Sequence, residues 1–556
     1  MINPLSNENL PPKHISFINI ILKNSNAPVK TVLFYTILSG LANAGLLSVI
    51  NSASNSANNG TVNIRYVAFF AIEIAIFYIT KRYILRKSIE IVEISIYNIR
   101  LRLLEKLRNC ELLAMEHIGK SEIFTRISND ANFISQSAAV IVNATQAIVL
   151  VFFSLLYIAY LSFKAFLITV TVISFGTTYY LRRQKVINQE LREVNINETA
   201  LYDQVENLIN GFKEIKINSL KNENLFDDVK ETSTLGKDNK IKTGLRFVVG
   251  FMFSEMVFYL LLAVIVFLLP QFNTMFPSTL TRLTAAILFI IGPLENIVST
   301  IPLFIKANIA TENIQNLEDK IDKAENLNTH QIPSSDLLEF EKIELKDLVF
   351  KYVDEDQQST FALGPINYNI NKGEILCILG GNGSGKSTFL KLLTSLYQPE
   401  SGTLNLNDVA ITSGSYMQYR SLFSIVFTDF HLFPKIYGVE KLKAEKVNEF
   451  INLMGLKGKT FFDGEKFTNL KLSTGQRKRL AFICCLLEDK PIMVLDEVTA
   501  DQDPEFKKFF YLTILPDLKK QGKTVIMVSH DDKYFEQFDR IVKMEYGKLV
   551  DYQLPK

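Results

Sequence analysis

The sequence is short of the features that would place it among secreted scaffolds, zinc proteins or nucleic-acid binders. Its 556 residues hold four cysteines, Cys110, Cys377, Cys484 and Cys485, which form neither a disulfide framework nor a zinc-ligand spacing. Cys484 and Cys485 fall together in an apolar run, where a small buried thiol packs as a hydrophobe. A reducing, cytoplasmic setting suits that usage. No charge of one sign dominates: 60 basic residues stand against 58 acidic ones, so nothing in the balance points to nucleic acid. The first 28 residues are polar and charged, without the apolar core of roughly 7–15 residues that a cleavable signal peptide needs. They are also too few for an N-terminal peptidase domain.

What the chain does have is apolar length. Apolar residues make up 48% and charged residues 21% of it, with a mean hydropathy of +0.14, as expected for an apolar membrane region joined to a soluble one. Six apolar segments, near 30–50, 64–85, 138–161, 163–182, 245–270 and 281–305, are each about long enough to cross a ~30 Å hydrocarbon core. Lys81, Arg82, Arg86, Lys87, Arg100, Arg102, Lys106 and Arg108 follow the second segment, and Arg182, Arg183, Lys185 and Arg192 follow the fourth. The opposite connections carry only Arg65, Lys164 and Arg282. This asymmetry puts both termini and both long connections in the cytoplasm. Those connections, 86–137 and 183–244, read as helix, with bends near 112–120 and 209–220 as candidate contact helices.

Three carboxylates fall inside the segments, Glu73, Glu255 and Glu295, where each costs at least about 2.5 kcal/mol in lipid. Either they line a water-filled cavity that meets a polar cargo, or they pair with neighbouring helices. Gly292-Pro293 removes a backbone donor and predicts a kink in the sixth segment.

After a charged helical stretch and a linker at 326–336, the pattern changes to short β-rich runs alternating with helices, the mark of an α/β nucleotide-binding fold. The apolar strand Ile375–Leu379 runs into Gly380-Gly381-Asn382-Gly383-Ser384-Gly385-Lys386-Ser387-Thr388. Glycines there let backbone N–H groups curl round phosphates, Lys386 neutralises the β/γ oxygens, and Ser387 is placed to ligate Mg²⁺. A second strand ends in Asp496 and Glu497. Asp496 would support Mg²⁺ through its water shell, and Glu497 would polarise the attacking water. A third, 524–528, ends at Ser529-His530, which puts His530 beside the γ-phosphate if the strands are parallel and in order. Tyr352 lies about 30 residues before the phosphate loop, and it either stacks on adenine or packs within a buried strand. Leu472-Ser473-Thr474-Gly475-Gln476 is of little use to a nucleotide in its own subunit. Ser473, Gly475 and Gln476 would cap an ATP held on the phosphate loop of another, identical or related, domain, so that ATP closes a dimer.

In this order, Tyr352, phosphate loop, LSTGQ, Asp496-Glu497, Asp503 and His530, the chain resembles the ATP-binding cassette transporter superfamily along nearly its whole length. The residues 472–480, 500–506 and 529–532 are most similar to the cyclic peptide and siderophore-precursor exporters. The resemblance implies an α-helical six-span transmembrane exporter domain (29–325, after a cytoplasmic N-terminal segment, 1–28) followed by an α/β P-loop nucleotide-binding domain (337–556). It implies ATP and Mg²⁺ as cofactors and Asp503 among the nucleotide-site residues. It further implies a homodimer in the lipid bilayer of the bacterial inner membrane, the ATP-binding domain in the cytoplasm, and a peptide-like cargo. A lipid or multidrug exporter of the same fold is the alternative, and a non-pumping membrane ATPase regulator a further one. One departure stands out. Where the superfamily usually has a Gln touching metal and water, this chain has Thr428, whose shorter hydroxyl would reach the metal only through water.

Overall fold

The computed structural model describes residues 28–58, 64–272, 277–323, 339–353, 359–439 and 442–552. The linker at 326–336 and, but for Pro28, the N-terminal segment lie outside the described residues. The chain divides into two compact units, 1–107 with 119–320, and 108–118 with 321–556.

The principal helices of the N-terminal half are α1 (Val29–Asn58), α2 (Ile64–Asn109), α3 (Leu112–Ile118), α4 (Ala131–Leu161), α5 (Phe163–Asn210), α6 (Phe212–Ile217), α7 (Ser219–Ala263) and α8 (Pro277–Lys323). Each of the six apolar segments falls within a different long helix, the fifth running on past the end of α7. Among the described residues, four helical stretches are long and apolar enough to cross a membrane: Lys30–Ser54, Lys120–Leu161, Ser219–Gln271 and Thr279–Lys323. Phe163–Tyr179 is a shorter apolar stretch. Large apolar side chains such as Phe34, Phe69, Phe152, Phe175 and Phe267 are exposed on these helices, a surface that lipid covers and water would not tolerate. The tight turn at Ser162 has a local cause: its hydroxyl accepts from Ala165 N at 3.3 Å and caps α5.

Helices of 45 to 48 residues run about 70 Å, more than twice a hydrocarbon core. Beyond the apolar stretch, α2 carries Val92, Ile96, Ile99 and Leu103 at alternating spacings of four and three. They bury against Ala131, Ile134, Ala307, Ala310 and Ile314, the seam of a coiled-coil-like bundle. Arg102 and Lys106 both reach Glu318 at 2.9 Å, and Arg192 reaches Glu312 at 3.1 Å. Partly exposed pairs contribute about 0.2–1 kcal/mol each, against about 1.5–3 kcal/mol for each buried aliphatic side chain, so the seam holds the bundle. At Gly292-Pro293, α8 continues unbroken, with both Pro293 and Pro302 inside it. Flanking Ile290 and Leu294 are buried. Glu255 and Glu295 are half-buried, while the Glu73 carboxylate lies against α1, where a Cβ on Gly45 would sit 2.8 Å from its Oε1.

The C-terminal half contains two sheets. β1 (Lys342–Val353), β2 (Ser359–Asn371), β4 (Ser401–Leu406) and β5 (Val409–Ala410) form an antiparallel sheet in the order β2-β1-β4-β5. β3 (Ile375–Leu379), β6 (Phe423–Val426), β7 (Ile492–Asp496), β8 (Thr524–Val528), β9 (Arg540–Glu545) and β10 (Lys548–Asp551) form the other, ordered β10-β9-β3-β8-β7-β6. Its β9, β3, β8, β7 and β6 are parallel. Strands β3, β7 and β8 are buried along their whole length, which is why they read as continuous apolar runs. Helices α9 (Lys386–Leu393), α10 (Ala444–Leu453), α11 (Thr474–Glu488) and α12 (Pro504–Phe509) accompany the sheets. Cys377 on β3 and Cys485 on α11 are buried, Cys484 partly so. Burial pushes each of these thiols up to about 12.

The segment 108–118 belongs to this second unit although its neighbours in sequence belong to the first. Leu112 and Leu113 of α3 pack on the core that includes Phe350, Phe389 and Tyr397. Glu116 accepts from Lys391 Nζ at 2.9 Å and from the Tyr397 hydroxyl, and Glu111 lies 3.6 Å from Arg420. The other candidate contact helix, α6, leaves Phe212 and Ile217 exposed.

Candidate nucleotide-binding site

The strand order β3-β8-β7-β6 sets four chain segments side by side along one sheet edge: the phosphate loop, His530, Asp496-Glu497 and Thr428. This is the carboxyl edge, where open parallel sheets place ligand chemistry. The condition on which His530 was assigned is met.

The phosphate loop is built so tightly that only glycine fits at Gly385, the N-cap of α9, with φ +106. A Cβ there would lie 2.9 Å from both Leu363 and Phe361. Gly381, Asn382 and Gly383 form the exposed tip, and Thr388 sits half-buried in the first turn of α9. Lys386 is buried, and its Nζ donates to the carbonyls of Gly380 at 2.7 Å and Gly381 at 3.0 Å, drawing the loop round its own ammonium. The Ser384 hydroxyl is buried and makes no hydrogen bond. A buried cation and an unused donor at a helix N-terminus fit a polyphosphate.

Ser387 Oγ donates to Asp496 Oδ2 at 3.1 Å, and Thr428 hydrogen-bonds to the same carboxylate through side chain and backbone. Burial pushes the Asp496 carboxyl above its usual range, the bonds from Thr428 and Ser387 draw it back, and the charge of Glu497 raises it again. The clustered hydroxyl and carboxylate oxygens are a donor set suited to Mg²⁺. Thr428 is thus a partner of Asp496, a role that its short side chain can fill and that the sequence comparison with Gln did not suggest.

Glu497 has a left-handed backbone, φ +53, uncommon for a side chain of this size. Its N–H donates to Val528 O at 3.2 Å, and its Oε1 lies 3.5 Å from His530 Nε2. Its carbonyl accepts from Lys478 Nζ at 3.1 Å, and the same ammonium reaches Asp501 Oδ2 at 3.1 Å and Ala500 O at 3.4 Å. Lys478 escaped the reading of site residues. The available signal was its place on the buried face of α11 with Ala481, Phe482 and Cys485, where a lysine needs polar partners. The turn bearing His530 is held from behind. Tyr511 bonds to Ser529 at 2.6 Å and Asp531 at 3.0 Å, Thr499 to Asp531 at 2.9 Å, and Lys507 to Asp531 at 2.6 Å.

Ser473 caps α11 in a reciprocal pair with Gln476: Gln476 N donates to Ser473 Oγ at 3.4 Å, and Ser473 N to Gln476 Oε1 at 3.2 Å. Ser473 and Thr474 are exposed. Gln502 Nε2 donates to Gly475 O at 2.9 Å, so this loop leans on the segment after Glu497. Among the described contacts, none joins 473–476 to the phosphate loop of the same chain. Asp503 caps α12, accepting from Phe506 N at 2.8 Å, and pairs with Arg479. Tyr352 is half-buried. Its hydroxyl donates to Tyr397 OH at 3.1 Å, and its ring lies 6.4 Å from Phe361, the residue packed against Gly385. The ring packs within the strand core, against Phe350 and Tyr397.

Fold and site together define a nucleotide-binding cassette on a chain with a long apolar helical region. A family model described as ABC transporter matches residues 363–500. The chain is 33% identical over 468 residues to the ATP-binding protein SyrD of Pseudomonas syringae pv. syringae, covering 81% of this chain and 82% of that one. It is 23% identical over 481 residues to the ATP-dependent lipid A-core flippase of Wigglesworthia glossinidia brevipalpis, covering 82% and 80%. To the glutathione/L-cysteine transport system ATP-binding/permease protein CydC of Escherichia coli it is 33% identical over 219 residues, 37% of each. The chain belongs to the ABC transporter family. It is an exporter half-transporter, membrane-embedded with a cytoplasmic ATP-binding domain, and it couples ATP hydrolysis to transport.

Proposed function

We propose that two copies of this chain, each with six spans in 29–325 and one cassette in 337–556, form a homodimeric exporter. It carries a cyclic or otherwise modified peptide, such as a siderophore precursor, across a bacterial inner membrane. The observation that carries the dimer is the LSTGQ loop, exposed at Ser473 and Thr474, whose Gly475 meets Asp501–Gln502 and from which no described contact reaches its own phosphate loop. Such a loop completes a site only against a second cassette. The peptide reading is supported by the residues 472–480, 500–506 and 529–532. A lipid cargo is the second reading, favoured by the likeness to the lipid A-core flippase.

Within each site, Lys386 and the loop amides hold the phosphates, and Ser387 and Asp496 hold Mg²⁺, with Thr428 fixing the Asp496 carboxylate. Glu497 takes the proton of the attacking water, oriented by His530. Tyr352 lies against the base, while Ser473, Gly475, Gln476 and Asp503 face the partner's nucleotide. Bound ATP with Mg²⁺ supplies the anhydride bond whose cleavage reopens the pair.

The test is uptake of a labelled cyclic peptide into inside-out vesicles containing the full chain. ATP-dependent accumulation that is lost with Lys386→Ala is expected. Accumulation of a labelled lipid with no peptide uptake would replace the first reading by the second.

A further inference from the structure

The helical unit holds an open cleft of about 380 Å³ between α1, α2, α4 and α8, within the size range of small-molecule sites. Six of its twelve lining residues are polar: Ser39, Asn43, Lys81, Asn143, Gln146 and Asn296. Neither Glu255 nor Glu295 lines it. The Gln146 Nε2 is buried and makes no hydrogen bond, a cost that a partner would remove. Lys81 is half-buried, and its described contact is the face of Phe77, with Nζ 5.3 Å from the ring centroid. Among the described ion pairs, none joins Lys81 to a carboxylate. Glu73, two turns away on the same helix, faces Gly45 instead. The apolar segments set Lys81 toward the cytoplasmic end of the second span, and Gly292-Pro293 of the sixth also lines the cleft.

We propose that this cleft, entered from the cytoplasm, recognises cargo carrying a carboxylate and amides. The acid lies against the Lys81 ammonium, while amides of the cargo pair with the carboxamides of Asn143, Gln146 and Asn296. The inference rests on the exporter reading and names the chemistry that reading leaves open. A cation paired with its anion away from bulk water gives the stronger class of hydrogen bond. Carboxamides offer both donors and acceptors, which suits peptide groups better than an acyl chain.

The test uses full-length protein in phosphatidylcholine nanodiscs and two probes: a cyclic hexapeptide with one glutamate, and its side-chain methyl ester. Binding is read by fluorescence anisotropy. The acid is expected to bind roughly 10-fold or more tightly than the ester, with the preference kept in Lys81→Arg and abolished in Lys81→Gln. Gln146→Leu is expected to weaken both probes. Melting temperatures of all variants separate misfolding from lost recognition, and Lys81→Met, which keeps the stem and loses the charge, takes the comparison if Lys81→Gln does not fold. No acid preference in the wild type, or one that survives Lys81→Gln, overturns the proposal. So does a Lys81-dependent thermal shift caused by phosphatidylglycerol nanodiscs with no response to the peptide acid, because the anion is then a lipid phosphate. Vesicle uptake separates the two levels. Transport indifferent to Lys81 sinks the cleft assignment alone, whereas Lys81-dependent binding with no ATP-driven uptake sinks the exporter reading alone.

Discussion

Replacing Gly475 by alanine should separate nucleotide binding from turnover. The added Cβ would lie 2.7 Å from Asp501 O and 3.3 Å from Gln502 Oε1. Ordinary contact begins near 3.4 Å, so one side must retreat by about 0.7 Å. Asp501 is held by the buried Lys478, and the LSTGQ turn is exposed, so the turn moves. It gives up the 2.9 Å bond from Gln502 to Gly475 O. Overpacking of this kind costs about 1–3 kcal/mol, which set against closure of the pair lowers turnover roughly 5- to 150-fold. The phosphate loop of the same chain is untouched. Titration with a fluorescent ATP analogue should therefore give wild-type affinity for Gly475→Ala, while phosphate release falls within that range. Wild-type turnover at an unchanged melting temperature would refute both the contact and the capping role, and a loss of binding in step with turnover would refute the role alone.

Glu497→Gln should retain ATP binding and slow phosphate release by about 10²–10⁴-fold, with an ATP-dependent dimer accumulating on sizing columns; rapid hydrolysis would remove Glu497 from the chemistry. Tyr352→Phe keeps the ring and loses the hydroxyl that donates to Tyr397, so fluorescent ATP should bind almost as in the wild type. Tyr352→Ala should bind it about 5- to 150-fold more weakly, if stacking contributes about 1–3 kcal/mol; equal affinity would leave Tyr352 as strand packing alone. Lys478→Met fills the same space but strips donors from Glu497 O, Ala500 O and Asp501, and should lower the melting temperature and hydrolysis together. A loss of stability with intact hydrolysis would show that Lys478 is structural only.

The elements most legible in the sequence are those with a strong local cause. The apolar segments emerge in long helices, and the phosphate loop and Asp496-Glu497 emerge at strand ends because buried parallel strands need continuous apolar runs. The side-by-side placement of His530 and Glu497 required the sheet order, a non-local fact that the sequence supplies only as a condition. The packing of Leu112 and Leu113 was less visible still, since seven helical residues are too few for a periodicity to reveal their partner. Thr428 was read against a different side chain expected in its place, and its bond to Asp496 emerged only once β6 lay beside β7. At Pro293 the sequence marks a missing backbone donor inside a helix, and α8 runs through that position to Lys323.

The buried thiols have a practical consequence for labelling. With Cys377, Cys484 and Cys485 held near 12, about one in ten thousand of each is thiolate at pH 8, and the thiolate is the species that maleimides and oxidants attack. Cys110, partly exposed like Cys484, lies outside the cassette sheet and its α11 helix. Replacing that single residue by serine would leave a chemically quiet chain, in which one cysteine placed at Thr474 reports the approach of a second cassette as a bond between subunits.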